Sequence, residues 1–226
     1  TAPLFKSVSA VTAPSEVTGE LFKKEFGKDV KVLNIGDIKT DIFFNEANKK
    51  KILDKIYETN PKLKGRKIIV YISTNGEAID DSAMYEYLYK DYVLLKCYTN
   101  LNNATETLIY YSDSIIDVSN MFKPYELLSV ADIAIGNINA PVLSFMSTGK
   151  PVFLYTKNTN KTLSEMETLV DVKEDIKLPI YNNIEDVIKQ ILNIENYDYS
   201  GYNQTKDKYL ANCNGKSLEN LLNQLK

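Results

Sequence analysis

A single stretch, Pro124 to Tyr155 (PYELLSVADIAIGNINAPVLSFMSTGKPVFLY), limits what this chain can fold into more than any other feature. Leu127, Leu128, Val130 and Ala131 recur at helical spacing. Ile133, Ala134 and Ile135 then form a short apolar run that halts at Gly136-Asn137-Ile138-Asn139. A second amphipathic segment runs from Ala140 to Thr148, with Pro141 tolerable in its first turn and Gly149 just past its end. Pro151 leads into the next apolar run, Val152 to Tyr155. The pattern reads β-loop-α-β, a unit of a parallel sheet. In such sheets ligands bind beyond the carboxyl ends of the strands, where a helix N-terminus can offer backbone N–H groups to a phosphate.

The same alternation extends along the chain. Residues Val8 to Ala13 are small and apolar, a helix is expected from Pro14-Ser15-Glu16 to Phe26, and Val30 to Ile35 reads as a strand closing a small β-α-β piece. Asn45 is placed to cap a charged helix to about Glu58 that ends at Asn60-Pro61. Lys67 to Ile72 is a continuous apolar run of the kind buried on both faces, hence a central strand. A helix around Ser82 to Tyr89 and strands at Tyr92 to Cys97 and Ser114 to Val118 complete the run into the opening stretch. Beyond Tyr155 the expectation is a polar loop from Thr156 to Ser164, then a helix from Ile184 to Leu192. A Tyr- and Asn-rich link and a last helix from Ser217 to Leu225 follow. The fold class expected is α/β: a doubly wound, Rossmann-like parallel sheet over residues 62–226, preceded by a remnant of another such domain and a linker helix over residues 1–61.

Charge and composition narrow the chemistry. A formal net charge of −3 and an isoelectric point near 5.2 argue against a nucleic-acid partner, which requires clustered positive charge. The chain contains no histidine. That removes Ser-His-Asp triads, Cys-His dyads and His-ligated metals, so no resident metal or cofactor is expected. Any metal would be a hard cation such as Mg2+ held with a nucleotide diphosphate. Any general base would be a carboxylate, with Glu77 the candidate, or else a Lys, Tyr or Cys. Cys97 and Cys213 stand in no metal or redox spacing and read as ordinary thiols. No apolar run approaches the ~20 residues of a membrane span and no signal pattern opens the chain, so a soluble protein is expected. The chain opens on Thr1 rather than Met, so residues upstream are expected to hold what it lacks.

Four loops follow predicted strands and would share one sheet edge: Ser73 to Glu77, Tyr98 to Asn103, Ser119 to Lys123 and Gly136 to Ala140. They carry hydroxyls, amides and Lys123 with few acids, which suits a neutral or anionic ligand such as a nucleotide diphosphate.

Several short motifs resemble the CDP-glycerol glycerophosphotransferases, GT-B enzymes that build teichoic-acid and related capsular polymers. Thr12-Ala13-Pro14-Ser15-Glu16 with Leu21 to Gly27 is similar to the family's last N-domain helix. Gly36 to Asp41 resembles its Gly-x-Pro-Arg-x-Asp turn, and Val70 to Thr74 its Tyr-Ala-Pro-Thr strand end. Glu126 to Asp132 resembles its Leu-Leu-x-x-Ser-Asp helix, Gly149 to Tyr155 its Lys-Pro strand, and Asn214 to Ser217 its Asp-Gly-Lys-Ala turn. The departures fall where chemistry would be. The family's Lys-x-His-Pro appears as Lys96-Cys97-Tyr98-Thr99, and its Thr-Asp-Tyr-Ser-Ser as Gly136-Asn137-Ile138-Asn139-Ala140. Its Arg-Gly-Phe-Tyr is unrecognisable near Glu167 to Val170, and the Arg of its last helix is Asn220.

The resemblance implies the donor-binding half of a GT-B transferase. A glycerophosphate or sugar group would move from a nucleotide-activated donor, CDP-glycerol or a nucleotide-sugar, to a polymer or lipid-linked acceptor. An N-terminal domain outside this chain would complete the enzyme. It implies a nucleotide site at Ser73, Thr74, Tyr98, Thr99, Asn137, Asn139 and Ala140, and a place in the bacterial cytoplasm or on the inner face of the cell membrane. Two other readings compete. Joint loss of the family's histidine, serines and aspartate would suit an inactive binding or assembly module of the same fold. Ser147 to Val152, a pattern widespread in GT-B enzymes, would suit a UDP-sugar glycosyltransferase.

Overall fold

The computed structural model describes residues 8–74, 76–99, 109–165 and 169–224. Asn75, residues 100–103 of the second candidate loop, Glu167 and Leu225 therefore lie outside the described residues. The N-terminal piece is β1 (Ala10–Thr12), α1 (Glu16–Phe26) and β2 (Lys31–Leu33), with β1 and β2 paired in parallel. Ser15 caps α1 through the Thr18 N–H at 3.2 Å. A 3-10 segment (Ile38–Phe44) and the linker helix α2 (Glu46–Thr59) lead into the main sheet.

That sheet is built from β3 (Lys67–Ser73), α3 (Asp81–Leu88), β4 (Tyr92–Tyr98), β5 (Ile109–Ser112), β6 (Ile115–Asp117), α4 (Pro124–Leu128), β7 (Ile133–Gly136), α5 (Ala140–Phe145) and β8 (Val152–Tyr155). Then come α6 (Thr159–Glu165), α7 (Val172–Asp175), β9 (Ile180–Tyr181), α8 (Ile184–Leu192), α9 (Ser200–Tyr209) and α10 (Ser217–Gln224). Strand order is β5-β6-β4-β3-β7-β8-β9, with every neighbouring pair parallel except the β5–β6 edge. The order reverses direction between β3 and β7. Adjacent crossovers run outward from both, which makes their junction the switch point of a doubly wound sheet.

Period-two burial sorts the strands onto two cores. Ile68, Val70, Ile72, Leu95, Ala134 and Leu154 face α2, α4 and α5, while Ile69, Tyr71, Leu94, Ile135 and Phe153 face α3 and α8. Three local details keep the central strands aligned. The Asp132 carboxylate accepts the Ile68 N–H at 2.9 Å, tying the start of β7 to the start of β3. Lys150 donates to the Ala131 carbonyl at 2.6 Å. Gly136 sits where a Cβ would press into the Ile72 carbonyl and reach Val142 Cγ2 at 2.8 Å.

The structure corrects the sequence reading at two places. The expected polar loop from Thr156 to Ser164 contains α6, seeded by the Asn158 carboxamide accepting the Lys161 N–H at 3.0 Å. The expected link before the last helix contains α9, whose sequence is too polar to announce a helix. It is fixed from outside, by the Tyr202 hydroxyl donating to the Met146 and Lys150 carbonyls at 2.7 and 2.9 Å.

The segment before the linker helix meets the start of α10. Asp41 accepts the N–H groups of Ser217 at 3.1 Å and Leu218 at 2.9 Å, capping α10 from 176 residues away. Asp41→Ala is expected to lower the free energy of unfolding by about 1 kcal/mol, as loss of an N-cap does. Urea denaturation would measure it, with hydrogen exchange in α10 rising more than in β3.

Candidate functional site

The switch point is formed by the carboxyl ends of β3 and β7. Ser73 ends β3 fully buried, and its carbonyl accepts the Thr99 N–H at 3.1 Å, which joins the β3 and β4 exits. Across the junction, Asn137 is buried and reaches Thr74. Its Oδ1 accepts the Thr74 N–H at 3.3 Å, and its Nδ2 donates to Thr74 Oγ1 at 3.2 Å. Asn139 donates from Nδ2 to the Asn137 carbonyl at 2.9 Å and to Asn137 Oδ1 at 2.8 Å, while its own Oδ1 accepts the Val142 N–H at 2.9 Å. Three of the predicted residues, Thr74, Asn137 and Asn139, thus make one network across the crevice floor. Ile138 points the other way, into the core.

The start of α5 is leaner in donors than the sequence reading supposed. Pro141 has no N–H, Val142 is held by the Asn139 cap, and Leu143 bonds to the Asn139 carbonyl at 3.1 Å. The N–H of exposed Ala140 is the first-turn donor left to meet an anion among the described residues.

Tyr98, at the end of β4, is brought beside Tyr71, ring centroids 6.0 Å apart and edge-on. The ammonium of Lys96 lies 5.9 Å from the Tyr98 ring and 2.6 Å from the Asp81 carboxylate, with the Lys96 side chain 3% exposed. The Tyr98 N–H bonds to Ser119 Oγ at 2.9 Å, and Ser119 in turn donates to Asp117. Thr99 is exposed at the rim.

Glu77 stands apart from this network, as a brace between two loops. Its Oε2 accepts from the buried Thr156 hydroxyl at 3.0 Å, and its Oε1 accepts the Lys157 N–H. Its carbonyl accepts the Tyr71 hydroxyl at 2.7 Å, and burial pushes the Tyr71 phenol far above its ordinary range, so it remains the donor. Both oxygens of this carboxylate are thus already engaged by protein groups. Cys97 offers no alternative nucleophile, because burial pushes its thiol up to about 12.

Sequence reasoning missed a second concavity on this side. The 3-10 segment packs on α4 and α5, and a cleft of about 530 Å³ opens between Ile38, Lys39, Ile42, Lys123, Tyr125 and Pro141. Lys123 had been grouped with the crevice; the structure places it here. The cleft's walls come from segments some 85 residues apart, a juxtaposition that no local pattern reveals.

Residues 5–226 match the sequence profile of the family described as CDP-Glycerol:Poly(glycerophosphate) glycerophosphotransferase. A teichoic acid glycerol-phosphate primase of Bacillus subtilis (strain 168) is 32% identical over 97% of this chain and 58% of its own length. A teichoic acid poly(ribitol-phosphate) polymerase of Bacillus spizizenii is 24% identical over 97% of this chain and 38% of its own. The solved wall teichoic acid polymerase TagF superposes with a TM-score of 0.72 at 22% identity, over 96% of this chain and 59% of that one. The chain spans about half the length of the relatives it matches, and the likeness to TagF shows the shared fold.

Proposed function

The chain belongs to the CDP-glycerol:poly(glycerophosphate) glycerophosphotransferase family, and from that premise we propose that it is the donor-binding half of a transferase moving glycerophosphate from CDP-glycerol to a polymer or lipid-linked acceptor. The observation that carries the reading is the crevice at the β3–β7 switch point, where Thr74, Asn137, Asn139 and Ala140 converge. The diphosphate lies over this floor, taking the Ala140 N–H and the Thr74 hydroxyl, with the nucleoside toward Tyr98 and Thr99. An acceptor hydroxyl attacks the glycerol-bearing phosphorus, and the bond to the cytidylate oxygen breaks, so that CMP leaves with the electron pair. The attacking proton goes to a base from the part of the relatives' length that this chain does not span.

Magnesium fits these residues poorly. Among the carboxylates of this edge whose contacts are described, Glu77 and Asp117 accept N–H and O–H groups, Asp80 caps α3, and Asp81 is paired with Lys96. A magnesium ion that enters with the donor would be held by the diphosphate oxygens. Among the described residues no helix is long and apolar enough to cross a membrane.

Titration calorimetry with CDP-glycerol, CDP, UDP and GDP tests the donor reading. The cytidine compounds are expected to bind and the others to bind at least several-fold more weakly. Preference for UDP would replace the donor with a nucleotide-sugar. Restoring a hydroxyl at the start of α5 by Ala140→Ser is expected to tighten CDP binding by about 0.5–1.5 kcal/mol, one added hydrogen bond. An unchanged affinity in a folded variant would move the diphosphate away from this loop.

A second reading, a binding module without turnover, draws on one observation: in this histidine-free chain the candidate base Glu77 stands outside the crevice network, engaged by Thr156 and Lys157. It predicts CDP binding without CMP release even when the relatives' upstream half is supplied as a separate domain.

A further inference from the structure

Asn214 and Gly215 form a bend just before α10, at a place where the fold demands glycine. Gly215 has φ 84°, and a Cβ there would come within 2.7 Å of the Phe44 Cβ and 2.8 Å of its Cγ. Asn214 is exposed, and its Oδ1 accepts the Lys216 N–H at 3.2 Å. The Gly215 N–H donates to no group among the described residues.

A carboxamide beside a free glycine N–H is a reactive pair. The side chain of a following residue shields the main-chain nitrogen from the asparagine Cγ, and glycine has none. The Lys216 N–H already lies on Oδ1, so it would stabilise the oxyanion that forms there when the nitrogen attacks. Asn183 supplies the contrast within the same chain. It too is exposed, and its Oδ1 accepts the Glu185 N–H at 3.0 Å, again two residues on, but the residue between is the β-branched Ile184.

We propose that Asn214 modifies itself, without an enzyme or cofactor, to aspartate and isoaspartate. The Gly215 nitrogen gives its proton to hydroxide and attacks Cγ. The new C–N bond closes a cyclic imide as the carboxamide nitrogen takes a proton and leaves as ammonia. A water molecule then opens the imide. Addition at Cγ breaks its bond to nitrogen and gives aspartate; addition at the main-chain carbonyl carbon breaks that bond instead and gives isoaspartate, whose backbone runs through Cβ and Cγ. Both routes consume one water, release one ammonia and leave a carboxylate, with no change of oxidation state.

The isoaspartate route acts on the fold, because it lengthens the backbone by one methylene immediately before α10. Asp41 holds the start of that helix through the Ser217 and Leu218 N–H groups, and the bend sits tightly against Phe44. A longer bend cannot keep both in register, so the first turn of α10 is released from Asp41. The change is one-way and is driven by time and alkalinity. It does not rest on the donor reading.

The test ages the whole 226-residue chain in warm, mildly alkaline buffer made with heavy-oxygen water and maps its peptides by mass spectrometry. Residue 214 is expected to convert at least about ten-fold faster than Asn183, to carry the heavy oxygen, to be labelled by an isoaspartyl methyltransferase, and to slow in mildly acidic buffer. Hydrogen exchange in the first turn of α10 should rise about five-fold in the isoaspartate-bearing fraction, as loss of one N-cap does. Asn214→Gln, whose longer side chain cannot close the same ring, should keep α10 protected through the same ageing. Conversion at residue 214 no faster than at Asn183 would overturn the proposal, as would aspartate as the sole product, which would mean direct hydrolysis. Unchanged α10 exchange in the isoaspartate-bearing fraction, or equal loosening in aged Asn214→Gln, would overturn the release of α10.

Discussion

Asp81→Ala is expected to lower the free energy of unfolding by about 3 kcal/mol, the lower end for breaking a buried ion pair. Lys96 rises from the middle of β4 with 3% of its side chain exposed, and its ammonium meets the Asp81 carboxylate at 2.6 Å. Moving a lysine charge out of water costs several kcal/mol, and the facing carboxylate supplies part of the offset, which alanine takes away. Asp81 itself is 27% exposed, so water entering behind the alanine recovers part of the loss, which is why the lower end applies. The double variant Asp81→Ala with Lys96→Met should recover most of the stability, because it removes the charge along with its partner. Urea denaturation of the singles and the double gives the coupling directly. A single-variant loss below about 1 kcal/mol would mean that Asp81 contributes little to holding the ammonium, and that the account of this pair is wrong.

Gly136→Ala should cost about 3 kcal/mol or more, because the added methyl meets a backbone carbonyl rather than a yielding side chain. Gly136 pairs with Ile72 in the β3–β7 ladder, and a Cβ there would press into the Ile72 carbonyl with Val142 Cγ2 at 2.8 Å. Relief requires β7 to move off β3, which would open the switch point and break the bonds between Thr74 and Asn137. Stability and CDP binding should therefore fall together. Gly149→Ala is the control. That residue sits at φ 75° with nothing within 4 Å of its would-be Cβ, so its cost is the left-handed backbone alone, about 1 kcal/mol. If Gly136→Ala proved no worse than Gly149→Ala, the tight apposition of β3 and β7 would be refuted.

The central sheet was legible in the sequence because its strands are unbroken apolar runs closed by Gly and Pro. Lys67 to Ile72, Ile133 to Gly136 and Val152 to Tyr155 needed no help from the rest of the chain to declare themselves, and they lie side by side at the centre of the sheet. The Asn139 cap was equally readable, since Asn before Ala-Pro is a helix start. What failed to show was structure held from a distance. In α9, Tyr202 and Thr205 are the buried residues, and Gly201 lies against the Lys177 backbone, so that helix is set by its neighbours and not by an apolar stripe. β9 has two residues and exists by pairing with β8. Glu77 looked like a free acid at a strand exit; only the approach of Thr156 and Lys157, about 80 residues on, turns it into a brace.

The motifs that carry the family resemblance are explained by the same geometry. Asp132 binds β3, Lys150 binds the Ala131 carbonyl, and Asp41 caps the helix that begins at Ser217. These residues hold the scaffold, so their presence speaks for the fold. The donor reading depends instead on the few groups at the crevice: Thr74, in a strand end that resembles the family's, and Asn137, Asn139 and Ala140, where this chain departs from the motif it resembles.

Amide-resolved NMR of the chain titrated with CDP tests the account most directly. The account predicts saturable shifts concentrated at Thr74, Tyr98, Thr99 and Asn137 to Ala140, abolished by Gly136→Ala. Shifts confined to the opposite edge of the sheet, for example around Gly65, Asp91 and Asn193, or no saturable shift at all, would contradict it.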